Sequence, residues 1–159
     1  KILSQVQTLG LTVDAVALTH GHFDHVGAVA EIAAETDCHV YISAADLSLP
    51  PMITNGRLYY TQTYPSTGSF SAAGLTFRVI PTPGHTPGSV CLVCEDVMFS
   101  GDTLFCGSCG RTDLPGGNPA QMQASLHTLA ALPGDYRVYP GHGSSTELSW
   151  EREHNPYMQ

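Results

Sequence analysis

Basic side chains are scarce: six Lys and Arg stand against fourteen Asp and Glu in 159 residues, a formal charge of −8 with histidine neutral. So acidic a surface is a poor match for a phosphate backbone, and a nucleic-acid partner is disfavoured. Long apolar runs are missing too. No stretch approaches the roughly 20 residues that span a bilayer, and the opening Lys-Ile-Leu-Ser-Gln lacks the layout of a signal peptide. The expectation is a soluble chain with no membrane partner. The five cysteines are odd in number, in a chain long enough to hold itself together by burial. A disulfide framework is therefore not expected, and the reading is a cytoplasmic protein. What the chain does have is sixteen glycines, eleven prolines and 42% hydrophobic residues, the make-up of one domain with a real core and many tight turns. It also has eight histidines, five of which stand among carboxylates and glycines.

The first residue is not Met, and Ile2, Leu3, Val6 and Leu9 recur at helical spacing before Gly10, so the sequence begins inside a helix. Residues 11–19 are apolar and β-branched, as in a buried strand, and run into His20-Gly21-His22-Phe23-Asp24-His25. An Ala-rich helix over 27–35 and a strand over 39–42 follow, an order that predicts parallel pairing. Residues 48–69 show no period and read as a long surface excursion, with Tyr59, Tyr60 and Tyr64 as candidates to close over a substrate. Strands are predicted over 75–80, 89–93 and 97–100, the last two turned by Glu95-Asp96. Asn118-Pro119 opens a helix to about residue 132, a short strand covers 137–139, and a closing helix covers 146–154, docked through Leu148 and Trp150.

Ligand-type side chains collect at the ends of these predicted strands: His20, His22, Asp24 and His25, then His85, then Asp102, then His142. A divalent ion needs several nitrogen or oxygen donors aimed at one point, and neighbouring glycines let the backbone fold close around it. Seven donors suffice for two ions, and the two oxygens of one carboxylate such as Asp102 can bridge them. A solitary His85 or His142 would read as a hydrogen-bonded turn residue. Four such side chains within six residues, bounded by an apolar strand and an Ala-rich helix, have no comparable structural use. His39, His127 and His154 lack such company and are assigned no role.

In type and order, His20-x-His22-x-Asp24-His25, His85, Asp102 and His142 resemble the metal motifs of the metallo-β-lactamase superfamily, across nearly the whole chain. Gly101-Asp102-Thr103-Leu104-Phe105, Cys109-Gly110-Arg111-Thr112-Asp113 and Tyr139-Pro140-Gly141-His142-Gly143 resemble the short single-domain members of its glyoxalase II-like branch. The resemblance implies an α/β fold, a four-layer αββα sandwich with the site at the edge between two sheets. It implies a first metal on His20, His22 and His85, a second on Asp24, His25 and His142, and Asp102 between them. It also implies a substrate contact at Arg111, whose competing use is an ion pair with Asp113. The family's domain ordinarily starts with strands ahead of the opening helix, so residues 1–159 are expected to form an N-terminally incomplete domain. An uncovered sheet edge would then favour self-association. Only seventeen residues follow His142, whereas glyoxalase II itself carries a helical C-terminal domain that helps hold glutathione.

The function implied is a binuclear hydrolase, with zinc as the expected metal and iron or manganese as alternatives, that cleaves a small-molecule thioester such as a hydroxyacylglutathione through a metal-bridging hydroxide. Two ions lower the pKa of a shared water toward about 7, Asp24 would orient the nucleophile, and a thiolate leaves without needing a proton. A β-lactamase is disfavoured because that branch places a different residue type at the position of Asp102. Two rivals remain. One is a persulfide dioxygenase with a single iron on His20, His85 and Asp102. The other is a non-enzyme with a structural zinc ribbon on Cys91-x-x-Cys94 and Cys106-x-x-Cys109, although cysteines three apart in a strand point to opposite faces.

Overall fold

Residues 90–94 include no charged side chain and all five are buried, a pattern that suits a strand covered on both faces. In the computed structural model, which describes residues 1–159, the chain runs through α1 (Ile2–Thr8), β1 (Ala15–Ala17), α2 (Phe23–Val26), α3 (Val29–Thr36) and β2 (His39–Ile42). A 3-10 turn (Ala44–Ser48), α4 (Pro51–Thr54), β3 (Gln62–Thr63), β4 (Ser69–Ala72) and β5 (Leu75–Pro81) come next. The second half comprises β6 (Val90–Cys94), β7 (Val97–Gly101), β8 (Leu104–Phe105), β9 (Ser108–Cys109), α5 (Pro119–Ala130), β10 (Arg137–Pro140), β11 (Thr146–Glu147) and α6 (Leu148–His154).

The strands form a three-stranded parallel sheet, β1-β2-β3, and a six-stranded mixed sheet, β11-β10-β7-β6-β5-β4, with β8 and β9 as a separate hairpin. Alternation along β6 explains the layering. Cys91 and Val93 point to a core shared with Met122, Leu126 and Leu129 of α5 and Leu148 of α6. Val90 and Leu92 point the other way, into a cluster with Phe70 and Val79 that also receives Ala17, Tyr41 and Tyr64 from the small-sheet side. The far face of the small sheet packs Val40 and Ile42 against Val26, Val29 and Ala33 of α2 and α3. The order is thus helix, sheet, sheet, helix, the four-layer αββα arrangement expected above. No helix is long and apolar enough to cross a membrane.

Local chemistry sets the element ends. Asn118 accepts the Gln121 backbone N–H at 3.1 Å and Pro119 opens α5. Glu95 turns the β6–β7 hairpin with φ 53°. Three expectations need correction. The strand expected over 11–19 is only Ala15–Ala17: residues 11–14 do not pair with β2, and after the Leu18 N–H bond to the Tyr41 carbonyl at 2.9 Å the chain leaves β2, the Thr19 carbonyl accepting instead from Val90 N–H at 2.9 Å. The excursion over 48–69 is not structureless: it carries α4 and β3, and Tyr64 sits in the inter-sheet core, its hydroxyl donating to the Leu18 carbonyl at 3.0 Å. Tyr64 is therefore no lid. Trp150 does not dock the last helix; Leu148 is fully buried, while Trp150 is 44% exposed and stacks on His154.

Leu126 has no exposed surface and stands at the centre of the α5 core. Leu126→Ala is expected to lower unfolding free energy by about 2–5 kcal/mol in a urea titration, with the far-UV spectrum of the folded protein unchanged.

Candidate metal centre

The loop after β1 carries His20 and His22, α2 carries Asp24 and His25, the β5–β6 loop carries His85, the residue after β7 is Asp102, and the turn after β10 carries His142. All seven meet at one edge of the sandwich. Their ligand atoms fall into three overlapping groups, His20/His22/His85, His20/His25/Asp102 and Asp24/His25/His142, and within each group they lie within 4.8 Å of one another. Asp102 joins the groups. Its Oδ1 is 3.4 Å from His25 Nε2, and its Oδ2 is 3.4 Å from His85 Nε2 and 3.5 Å from His142 Nε2. Asp24 Oδ2 lies 3.1 Å from His142 Nε2.

The backbone over-determines several of these positions. His85 Nδ1–H donates to the Arg111 carbonyl at 2.7 Å, so its Nε2 holds the lone pair and faces the cluster. The Ser125 hydroxyl donates to the Pro83 carbonyl at 2.7 Å and Asn118 N–H to the Gly84 carbonyl at 2.8 Å, which fastens the His85 loop to α5. Thr19 pairs with His20 Nδ1 at 3.1 Å. Gly141 is required by space: a Cβ there would run into Asp102 Oδ1 and approach His25 to 2.8 Å.

The donor set fits divalent ions on a specific ground. Nε2 of His20, His22, His25 and His85 and Oδ1 of Asp102 are all buried without a hydrogen-bond partner, a costly arrangement unless those lone pairs serve as ligands. Electrostatics agree for the inner rings. Burial, reinforced by the neighbouring imidazoles, holds His20 well below the ordinary histidine range and His22 at about 4, so both stay neutral at pH 7. Burial works against His25 as well, but Asp102 and Asp24 beside it carry it above its usual value. Burial would raise Asp102, yet His25, His85 and His142 hold it below the carboxylate range.

One half of the cluster is buried and the other open. His20, His22, His85 and Asp102 are buried, whereas the side chains of Asp24 and His142 are 38% and 55% exposed to a cavity of about 760 Å³. Phe23, Met52, Ile53, Phe105, Leu114 and Pro115 form its apolar wall. Arg111 also lines it, but its guanidinium holds Asp113 through two 2.7 Å hydrogen bonds. Tyr59 and Tyr60 do not line it; the excursion contributes Met52 and Ile53 instead. The zinc-ribbon expectation fails: all five cysteines are free, none belongs to a metal-capable group, and Cys91 and Cys94 are buried on opposite faces of β6 while Cys106 is exposed. The Arg111 carbonyl and the α4 wall escaped the sequence reading, since a backbone acceptor leaves no trace in residue type and a two-residue contact has no motif.

The sequence profile of the Metallo-beta-lactamase superfamily matches residues 1–142. A "Hydroxyacylglutathione hydrolase" of Albidiferax ferrireducens is 42% identical over 146 residues, covering 89% of this chain and 53% of its own length. The chain thus spans about half the length of that relative. The "Probable metallo-hydrolase YqgX" of Bacillus subtilis is 36% identical over 172 residues, 99% of this chain and 82% of its own. Among solved structures, BLEG-1 B3 metallo-beta-lactamase superposes with a TM-score of 0.88 at 34% identity, covering 99% of this chain and 82% of that one. TTHA1623 in a di-iron-bound form does so at 0.84 and 40%, covering 98% and 83%. ETHE1 from Myxococcus xanthus does so at 0.84 and 32%, covering 98% and 67%.

The histidine shifts set the acid behaviour of the metal-free protein. Between about pH 6.5 and 4 the unfolded chain protonates His22 while the folded chain does not, and His20, also held well below the ordinary histidine range, acts in the same direction, so the unfolded state binds more protons and stability falls as pH falls. Asp102 adds to the loss below the carboxylate range, and His25, shifted the other way, offsets part of it. Urea unfolding of chelator-treated protein is expected to show a lower midpoint at pH 5 than at pH 7.

Proposed function

This chain belongs to the metallo-β-lactamase superfamily, a metallo-hydrolase superfamily whose members bind divalent metals, and from that premise we propose that it is a binuclear thioester hydrolase. The observation that carries the reading is Asp102, one carboxylate within 3.5 Å of His25, His85 and His142 and therefore shared by both sets of donors. His20, His22 and His85 would hold one ion, Asp24, His25 and His142 the other, and Asp102 both. Zinc suits these nitrogen and oxygen donors, and so do iron and manganese; the di-iron form of TTHA1623 supports iron as an alternative. When bound, two such ions supply Lewis-acid polarisation of an acyl oxygen and a water acidic enough to attack at neutral pH.

The chain's own residues then position and shield. The Asp24 carboxylate, beside His142 in the cavity lining, would accept a hydrogen bond from the attacking water and aim it at the carbonyl. The Arg111 carbonyl keeps the His85 ring from turning. Phe23, Met52, Ile53 and Phe105 exclude bulk water from the reacting acyl group. A thiolate departs without a proton, which suits a cavity with no separate general acid. The hydroxyacylglutathione hydrolase relative supports a thioester of that kind as substrate. The Arg111 side chain, at the rim and already paired with Asp113, would contact the thiol half of the substrate. The five free cysteines favour a reducing compartment such as the cytoplasm.

The test is turnover by metal-loaded protein on S-lactoylglutathione and on an apolar pantetheine thioester, beside nitrocefin and an oxygen-electrode assay with a persulfide. Thioester cleavage without oxygen uptake is expected. Oxygen consumption with one iron per chain would replace this reading by the dioxygenase, and nitrocefin turnover alone by a lactamase. Asp24→Asn is expected to lower kcat about 10²-fold or more, and Arg111→Ala to raise KM with little change in kcat.

A further inference from the structure

Asp46, on the 3-10 turn after β2, has no exposed surface, and the chemistry proposed above does not use it. A carboxylate removed from water is unfavourable unless its oxygens are met, and here every donor comes from the metal loops. Gly21 N–H donates to Oδ2 at 2.8 Å, the Thr86 hydroxyl to Oδ2 at 2.9 Å, and Gly88 N–H to Oδ1 at 2.6 Å. Gly21 lies between His20 and His22, and Thr86 and Gly88 follow His85. Two loops distant in sequence are thereby tied through one side chain. The fit leaves no slack: a Cβ on Gly88 would sit 2.6 Å from Asp46 Oδ1, and one on Gly21 would sit 3.0 Å from Leu49. Thr86 is fixed in turn by Ser89, whose hydroxyl meets the Thr86 hydroxyl at 2.8 Å and accepts its N–H at 3.1 Å. Asp24, His25 and His142 receive nothing from Asp46. Their support is α2 and the bond from Gly141 N–H to the Gly101 carbonyl at 2.8 Å. Asp46 does not line the 760 Å³ cavity, so it touches no substrate.

We propose that Asp46 is the positioning residue of the three-histidine half of the centre: a buried tie that sets the spacing of the His20/His22 and His85 loops, and with it the affinity of that half for its ion. The proposal rests on the two-ion reading above. It distinguishes the two halves, since a tie that touches one set of loops acts on one ion. Asp46→Asn keeps the volume but turns an amide N–H toward a donor on one side, so at least one loop is released.

Zinc-loaded protein is titrated with a chromophoric chelator and the ions withdrawn are counted against chelator strength. Wild type is expected to release two ions, and Asp46→Asn to release one of them about 10–100-fold more readily while the other is unchanged. In a His142→Ala background, which leaves the three-histidine set complete, Asp46→Asn loosens the remaining ion by the same factor. In a His85→Ala background it has no effect. Thr86→Val, which removes one of the three donors and keeps the carboxylate, loosens the same ion by less and carries the test if Asp46→Asn does not fold. Two ions that loosen together, or neither, overturn the proposal alone. A wild-type chain that holds fewer than two zinc ions overturns the two-ion reading and this proposal with it.

Discussion

Five polar atoms, four imidazole nitrogens and one carboxylate oxygen, are buried within a few ångströms of one another and none has a hydrogen-bond partner. Burying a lone pair without a partner costs about 1–3 kcal/mol, so such a cluster opposes folding unless something other than protein meets it. Divalent ions, which members of the superfamily bind, would meet it, and the arrangement of the molecule around this edge keeps those atoms converged. The cost is confined to one place: the two cores on either side of the large sheet are continuous and apolar.

The fold holds the cluster by delivering its seven ligands from five segments: the loop after β1, α2, the β5–β6 loop, the end of β7 and the turn after β10. Parallel β1 and β2 present the first loop, β7 and β10, also parallel, present Asp102 and His142 side by side, and the β5–β6 loop is fastened to α5. Buried carboxylates then lock the connecting segments. Asp46 ties the two histidine loops. Glu151 on α6 accepts from Gly107 N–H at 3.2 and 3.0 Å and from the Thr146 hydroxyl at 2.7 Å, while Asn155 donates to the Ser108 carbonyl at 3.0 Å. The hairpin that carries Phe105 and Cys109 to the cavity wall is thereby pinned from below. His20, His22, His85 and Asp102 are buried while Asp24 and His142 are exposed, yet His22, His85 and Asp102 share the wall of one cavity with Asp24 and His142, and a substrate would reach the centre through it.

Much of this was legible in the residues. The ligand set stands out because four donor side chains fall within six positions, whereas the four layers were implied by the family resemblance, which the burial of β6 on both faces fits. What stayed hidden depends on contacts between distant segments. Nothing about Asp46 in Ser43-Ala44-Ala45-Asp46 distinguishes it from a surface turn residue until Gly21 and Gly88 close on it. The three tyrosines looked like a lid because aromatic residues in an aperiodic stretch carry no sign of which face they take; Tyr64 went to the core. The paired Cys-x-x-Cys intervals matched a ribbon by spacing alone, and strand geometry separated them.

The proposed chemistry depends on two cations sharing one carboxylate. Crystals of the as-purified protein, measured at wavelengths on either side of the zinc and iron absorption edges, test this directly. Two anomalous peaks about 3.5–4 Å apart are predicted, one against His20, His22 and His85 and one against Asp24, His25 and His142, with Asp102 between them. A single peak, or peaks away from these residues, would contradict it.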